Sequence, residues 1–222
     1  LTPRAKAKLK SMWATMQKVF SSRTRLEKIA IDIQFDFETK PRLMDGNGNA
    51  MLVADSVYSA CKYYEIFQQR GFKKCAIISS YTPQAGDLRT DTVSAEDETK
   101  KKKKYEIYLR MLGFDPDNLP EKVSIQKKVE DFEKDVKDKF INQPANMKLL
   151  IVVDKLLTGF DAPPCTYLYI DKGMQDHGLF QAICRVNRLD GDTKEFGYIV
   201  DYKQLFGNLK NAMDKYTSGA FE

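Results

Sequence analysis

Gln181, Arg185 and Arg188 stand four and three residues apart in Gln181-Ala-Ile-Cys-Arg-Val-Asn-Arg188. On a helix such residues are neighbours, so a glutamine and two guanidinium groups would share one face. Arginine stays charged and bonds phosphate oxygens with a planar fork, so that face suits a phosphate chain. From those eight residues alone, a surface helix with two solvated arginines reads the same. A second segment, Leu157-Thr-Gly-Phe-Asp-Ala-Pro163, follows the apolar run Leu149-Leu-Ile-Val-Val153 and shifts the balance. Gly159 permits a positive φ or a close backbone approach. Thr158 offers a hydroxyl and an N–H to a phosphate. Asp161 only accepts, and suits a ribose hydroxyl or a fixed arginine. The plain alternative is a tight turn whose aspartate caps a helix.

A further set of candidates follows two other apolar runs. Asp55-Ser56 comes after Ala50–Ala54, and Ser79-Ser80-Tyr81 after Cys75–Ser79. Hydroxyls and helix N-terminal N–H groups bind phosphates without reading bases. Asp55 or Ser56 can also simply cap the next helix, and the two roles are compatible. Lys100–Lys104 could touch phosphates electrostatically. Asp97 and Glu98 adjoin that run, and a solvated loop is the expectation there. His177, the single histidine, reads as a loop residue.

Helical composition covers residues 3–20. A second helical pattern covers 22–38, with Leu26, Ile29, Ala30, Ile33 and Phe37 on one face and Ser21 or Ser22 as cap. Pro41 ends it, and 45–49 is a turn. Five short apolar runs then alternate with helical segments: 50–54, 75–79, 149–153, 166–170 and 196–200. The intervening helices are expected after residue 55 and at 104–112, 126–141, about 178–188 and 202–216, with Gly71 stopping the first. Such a pattern predicts an α/β fold, a parallel sheet with helices on both faces. The expected division is a helical lead-in over 1–45 and one domain over 46–222. Residues from about 83 to 104 lack periodicity and read as a mobile insertion. Ligands should meet the carboxyl ends of the strands, where all the motifs are expected to lie.

Composition sets bounds. The chain has 222 residues, 42% hydrophobic and 30% charged, with a net charge of +5. That permits a nucleic-acid partner without requiring one, because placement of the lysines decides. Cys61, Cys75, Cys165 and Cys184 form no CxxC pair, so they read as thiols in a reducing compartment, with no metal site. No apolar stretch is long enough to span a membrane. The opening Leu1-Thr-Pro-Arg4 is neither a leader nor an initiation site, so the chain is expected to be part of something longer.

The segments LLTGFDAP and QAICRVNR together resemble motifs V and VI of superfamily 2 helicases. Their wording is most similar to the motor (R) subunit of type I restriction enzymes. The resemblance covers about residues 22–82 and 126–202 and implies a RecA-like domain of the P-loop NTPase type. Arg185 and Arg188 would be arginine fingers, with Gln181 near the γ-phosphate or attacking water. Gly159 and Asp161 would lie by the nucleotide. Ser56, Ser79, Ser80, Tyr81 and Thr158 would touch the DNA backbone. Cys184 stands where the commonest motif VI has glycine, a change to another small side chain.

No Gly-x-x-x-x-Gly-Lys-Ser/Thr loop and no Mg²⁺-binding Asp-Glu pair occurs, so this chain would carry half of a site. ATP and Mg²⁺ would be shared with a preceding RecA-like domain of the parent chain, and the fragment alone would bind neither. The parent would translocate double-stranded DNA and cleave it, working with methyltransferase and specificity subunits in the cytoplasm of a bacterium or archaeon. The alternatives are another superfamily 2 motor, from type III restriction or DNA repair, and a non-catalytic nucleic-acid-binding scaffold.

Overall fold

The computed structural model of the chain describes residues 23–84, 87, 95–118, 124–157, 159–174 and 176–203. The helices expected at 3–20 and over most of 202–216 lie outside those residues, as do Thr158 and most of 85–94. Eleven elements are described in order: α1 (Arg23–Thr39), α2 (Pro41–Met44), β1 (Asn49–Ala54), α3 (Val57–Gln69), β2 (Cys75–Ile78), α4 (Ala95–Met111), α5 (Ile125–Asn142), β3 (Leu149–Val152), β4 (Cys165–Asp171), α6 (Asp176–Val186) and β5 (Tyr198–Asp201).

All five expected apolar runs became strands. They form one sheet in the order β2-β3-β1-β4-β5, with every pairing parallel. Strands β1, β2, β3 and β4 are buried along their whole length, as a sheet covered on both faces requires. Side chains alternate between two cores. Ala50, Leu52, Ile77, Ile151 and Tyr169 face α1, α3 and α4. Met51, Val53, Ile78, Val152 and Ile170 face α5 and α6.

The lead-in helix packs on the sheet. Leu26, Ile29, Ala30, Ile33 and Phe37 of α1 are buried in the first core, on the face the sequence spacing predicts. Burying each larger one contributes about 1.5–3 kcal/mol. Polar bonds fix its position. Arg25 donates to both Asp171 oxygens, at 3.0 and 2.6 Å, and the Tyr63 hydroxyl donates to the same carboxylate at 2.6 Å. Burial and the Asp171 charge push the Tyr63 pKa up. The Tyr169 hydroxyl donates to Asp36 at 2.9 Å.

Two helices depart from expectation. α4 begins at Ala95, so the lysine run lies on a 17-residue helix and not in a loop. Its second half supplies what the first half lacks: Tyr105, Ile107, Tyr108 and Leu109, with Leu112 just past its end, are buried and anchor the helix. α6 begins at Asp176, which puts His177 in its first turn and not in a loop. It ends at Val186, earlier than the expected residue 188. Val186 is buried and the Gly197 backbone crosses against its carbonyl. A Cβ on Gly197 would overlap that carbonyl, so only glycine allows the approach.

Candidate functional site

The motif residues divide between opposite edges of the sheet. Strands β1, β2 and β3 end beside Asp55, Ser79 and Val153, and this is the carboxyl edge. Helix α6 starts there, after β4, and runs back along the sheet. Its last residue, Val186, packs beside Gly197, which immediately precedes β5. Arg185, Arg188 and the loop after them therefore lie toward the amino edge. The expectation that every motif would gather at the carboxyl ends is corrected: a helix returning between parallel strands delivers its last turn to the opposite edge.

At the amino edge two arginines close on one loop. Arg185 Nη1 donates to the Phe160 carbonyl at 2.7 Å. Arg188 Nη1 is 3.0 Å from Asp161 Oδ1. The two guanidinium groups meet adjacent residues, although Arg188 stands beyond the end of α6 and not on its face as the spacing suggested. Gln181 lies one turn before Arg185 on α6, and Arg185 Nε reaches its carbonyl at 3.4 Å. Arg188 and Asp161 are both substantially exposed, at 40% and 59%. Such a pair adds roughly 0–1 kcal/mol to stability, so a stronger anion could replace the carboxylate at little cost.

The loop is held from both ends. Gly159 has φ +70, the left-handed conformation its residue type suggested, and nothing crowds it. Leu156 also has positive φ, at 71, an uncommon state for leucine, and it is buried. Lys155 Nζ donates to both oxygens of the buried Glu133 at 2.7 Å, tying the loop to α5. Phe160 packs near Phe140, with ring centroids 6.2 Å apart. Beyond Asp161, Lys194 is almost wholly buried and donates to the carbonyls of Pro163 and Cys165, each at 2.7 Å. Burial lowers its pKa. Arg42 binds Thr166, Thr193 and Asp190, joining α2 to the loop after Arg188. Lys194 and Arg42 thus brace the two segments whose side chains meet at Arg188 and Asp161. Sequence reasoning missed both, since a lone lysine in a polar loop carries no motif.

The carboxyl edge is organised differently. Ser56 caps α3, its Oγ accepting from the Ser59 N–H at 3.2 Å, yet it remains exposed. Ser79, expected at the DNA backbone, has its side chain drawn into the fold. It is 3% exposed, and its hydroxyl is shared between Tyr108 and the Tyr81 N–H. Ser80 is exposed. The Tyr81 hydroxyl donates to Asp87 at 2.7 Å, and Lys104 Nζ lies 4.0 Å from its ring centroid. The crossovers leave β1 and β4 on opposite faces, which makes the crevice between their ends the usual ligand position in such sheets. Asp171, the last residue of β4, is bonded there by Arg25 and Tyr63.

Cys61, Cys75 and Cys165 are buried, and burial raises each thiol pKa to about 12. Among the described residues no helix is long and apolar enough to cross a membrane.

Comparison with known proteins agrees with the motif reading. The chain is 32% identical over 219 residues to a protein of Methanocaldococcus jannaschii named as a putative type I restriction enzyme MjaIXP endonuclease subunit. That alignment takes in 98% of this chain and 18% of the relative. A type I restriction enzyme HindI endonuclease subunit from Haemophilus influenzae is 47% identical over 74 residues, 32% of this chain and 7% of its own length. The chain therefore spans under a fifth of these relatives. A solved structure, an ATP-dependent Type ISP restriction-modification enzyme LlaBIII bound to DNA, overlaps 69% of this chain and 8% of its own at a TM-score of 0.38 and 15% identity. The model of type I restriction enzyme subunit R domain 3 matches residues 46–204, a span that contains all five strands and both sheet edges. The chain belongs to that family, the third domain of type I restriction enzyme R subunits.

Proposed function

We propose that this domain is the second RecA-like half of a DNA-translocating motor, and that its amino edge completes an ATP site begun by a preceding domain of the same parent chain. The convergence of Arg185 and Arg188 on Phe160 and Asp161 carries this reading. Two guanidinium groups and a glutamine fit the anionic oxygens of a triphosphate. They do not fit Mg²⁺, which needs oxygen ligands and would be held by the other half. When bound, ATP supplies the phosphoryl group transferred to water. Charge spreads over the γ-phosphate oxygens during that transfer, and arginines placed there contribute about 10³–10⁵ in rate. Asp161 meets the Arg188 fork in an exposed pair, so the γ-phosphate would take the carboxylate's place at little cost.

In the same proposal the carboxyl edge meets the DNA backbone through Ser56, Ser80 and Tyr81, and Thr158 stays a candidate for the same contact. These groups contact phosphate and sugar without reading bases, which leaves recognition to a specificity subunit. Opening and closing of the interdomain cleft during turnover would step the strand. A scaffold that had lost the motor would give the arginines no role in register with Asp161. The full parent would act as the restriction subunit of a complex with methyltransferase and specificity subunits.

An ATPase assay of the isolated 222-residue chain, with and without duplex DNA, tests the half-site. No turnover is expected, because the phosphate-cradling lysine and the Mg²⁺ carboxylate belong to the other half. Robust DNA-stimulated turnover by the pure chain would overturn it.

A further inference from the structure

The run Lys100–Lys104 lies apart from both motif segments. Helix α4, which carries it, lies beside α3 and points the same way. At one end of the groove between them lie Tyr58, Lys62 and Lys103. Gln68, Gln69 and Arg110 lie at the other end, with Glu65 and Ile107 between. Since α3 starts at the carboxyl edge, Lys103 stands level with its first turns. Residues before Lys103 rise about 1.5 Å each along the helix axis, so the run reaches past the sheet edge beside Ser56 and Ser80.

Lys100, Lys103 and Lys104 fall at i, i+3 and i+4 and share a face of α4. Lys104 lies over the Tyr81 ring. On α3, Lys62 is held below the ordinary lysine pKa, first by burial and then by the positive charges of Lys100 and Lys103, against the pull of Asp55. Ammonium groups from two helices are thus crowded together at one edge. Acids stand among them: Glu65 lines the groove with Lys62 and Lys103, Asp97 is 3.9 Å from Lys100, and Glu106 is 3.9 Å from Lys102 and also takes Arg110. Exposed pairs of that kind contribute about 0–1 kcal/mol. Like charges at helical spacing lower the stability of the helix that bears them. A polyanion laid along the edge removes that penalty and releases counterions as it binds.

We propose that Lys100, Lys103 and Lys104, with Lys62 and Tyr81, form a clamp for the sugar–phosphate backbone of duplex DNA, extending the path of Ser56 and Ser80 onto α4. The proposal rests on the DNA-motor reading and adds to it the surface that supplies most of the affinity. Lysine is a point charge on a flexible stem, so the clamp would hold any sequence and let the strand slide.

The test is binding of the 222-residue chain to a short fluorescent duplex over a series of salt concentrations, repeated with the triple variant Lys100→Gln, Lys103→Gln, Lys104→Gln. The wild-type chain should bind with a steep negative slope of log affinity against log salt. The variant should bind more weakly, with that slope reduced by about 0.9 for each phosphate it no longer neutralises, up to about 2.7 for three. The matching triple arginine variant should restore it. Circular dichroism checks folding; should the triple variant not fold, Lys103→Gln alone carries the test through a slope change of about 0.9. Equal slopes for the wild-type and glutamine chains would overturn the clamp and leave the motor reading standing. No duplex binding by the wild-type chain would overturn the clamp together with the DNA path. A glutamine variant that failed to bind phosphatidylserine vesicles while keeping the duplex would overturn the clamp and reassign the lysines to a membrane surface.

Discussion

At the amino edge of the sheet, basic groups are held by the fold. Lys194 donates to two carbonyls, Arg42 to Thr166, Thr193 and Asp190, Arg185 to Phe160, and Arg188 meets Asp161. At the carboxyl edge the lysines of α4 stand at helical spacing, with Asp97 3.9 Å from Lys100 and Glu106 3.9 Å from Lys102. The hydroxyls there are instead drawn into the structure, Ser56 as a cap and Ser79 as a buried link to Tyr108. Fixed forks suit a ligand whose atoms must be met in one geometry, such as a transferring phosphoryl group. Crowded, mobile-stemmed charges suit a ligand that must be held anywhere along its length. The same net charge can therefore serve chemistry or traction, depending on whether the fold holds it.

Breaking each edge in turn sharpens that contrast. Gly197→Val should have the largest effect on folding. Its Cβ would overlap the Val186 carbonyl, displacing the end of α6 that presents Arg185, at a cost of about 4 kcal/mol. Urea unfolding measures it; a loss under about 1 kcal/mol would mean the backbone relaxes and the amino edge is less rigid than described. Asp171→Ala should follow, at about 3 kcal/mol, since it leaves Arg25 and Lys203 without their shared carboxylate. The expected signature is release of α1, seen as faster amide exchange over residues 23–39 than over β1. Uniform exchange would show that apolar packing alone holds that helix.

Lys194→Met should cost about 2 kcal/mol by leaving the Pro163 and Cys165 carbonyls short of a donor. An unchanged denaturation midpoint would remove Lys194 as a brace. Ser56→Ala should cost about 1 kcal/mol, the ordinary value of an N-cap. If it weakened duplex binding without changing stability, the hydroxyl would serve the ligand and not the helix.

Much of this was legible in the sequence. The five apolar runs, each bounded by turn or cap residues, marked all five strands, and the spacing of Leu26, Ile29, Ile33 and Phe37 marked the buried face of α1. Gly159 revealed its positive φ through residue type. The direction of α6 was less legible, because periodicity states that a helix exists and not which edge its last turn reaches. The spacing allows Arg188 a place on the helix, but α6 ends at Val186, where Gly197 lies against its carbonyl. The start of α4 was missed for a related reason: its first turns carry no apolar stripe, and the anchoring residues come only from Tyr105 onward. Lys194 and Asp171 gave no signal, since the partners that define them lie far away in the chain.

Arg188 and Arg185 supply the most direct measurement. In the full-length parent, Arg188→Ala, Arg185→Ala and the two lysine counterparts would be compared by steady-state ATPase at saturating duplex and by thermal melting of the same samples. Arginines that act on charge developing in the transition state should lower the rate by about 10³-fold or more when removed, with poor rescue by lysine. The melting temperature of the Arg188 variant should barely move, because its exposed pair with Asp161 adds little to stability. Activity retained within a fewfold, or lost only in step with melting temperature, would make these arginines structural and contradict the amino-edge ATP site.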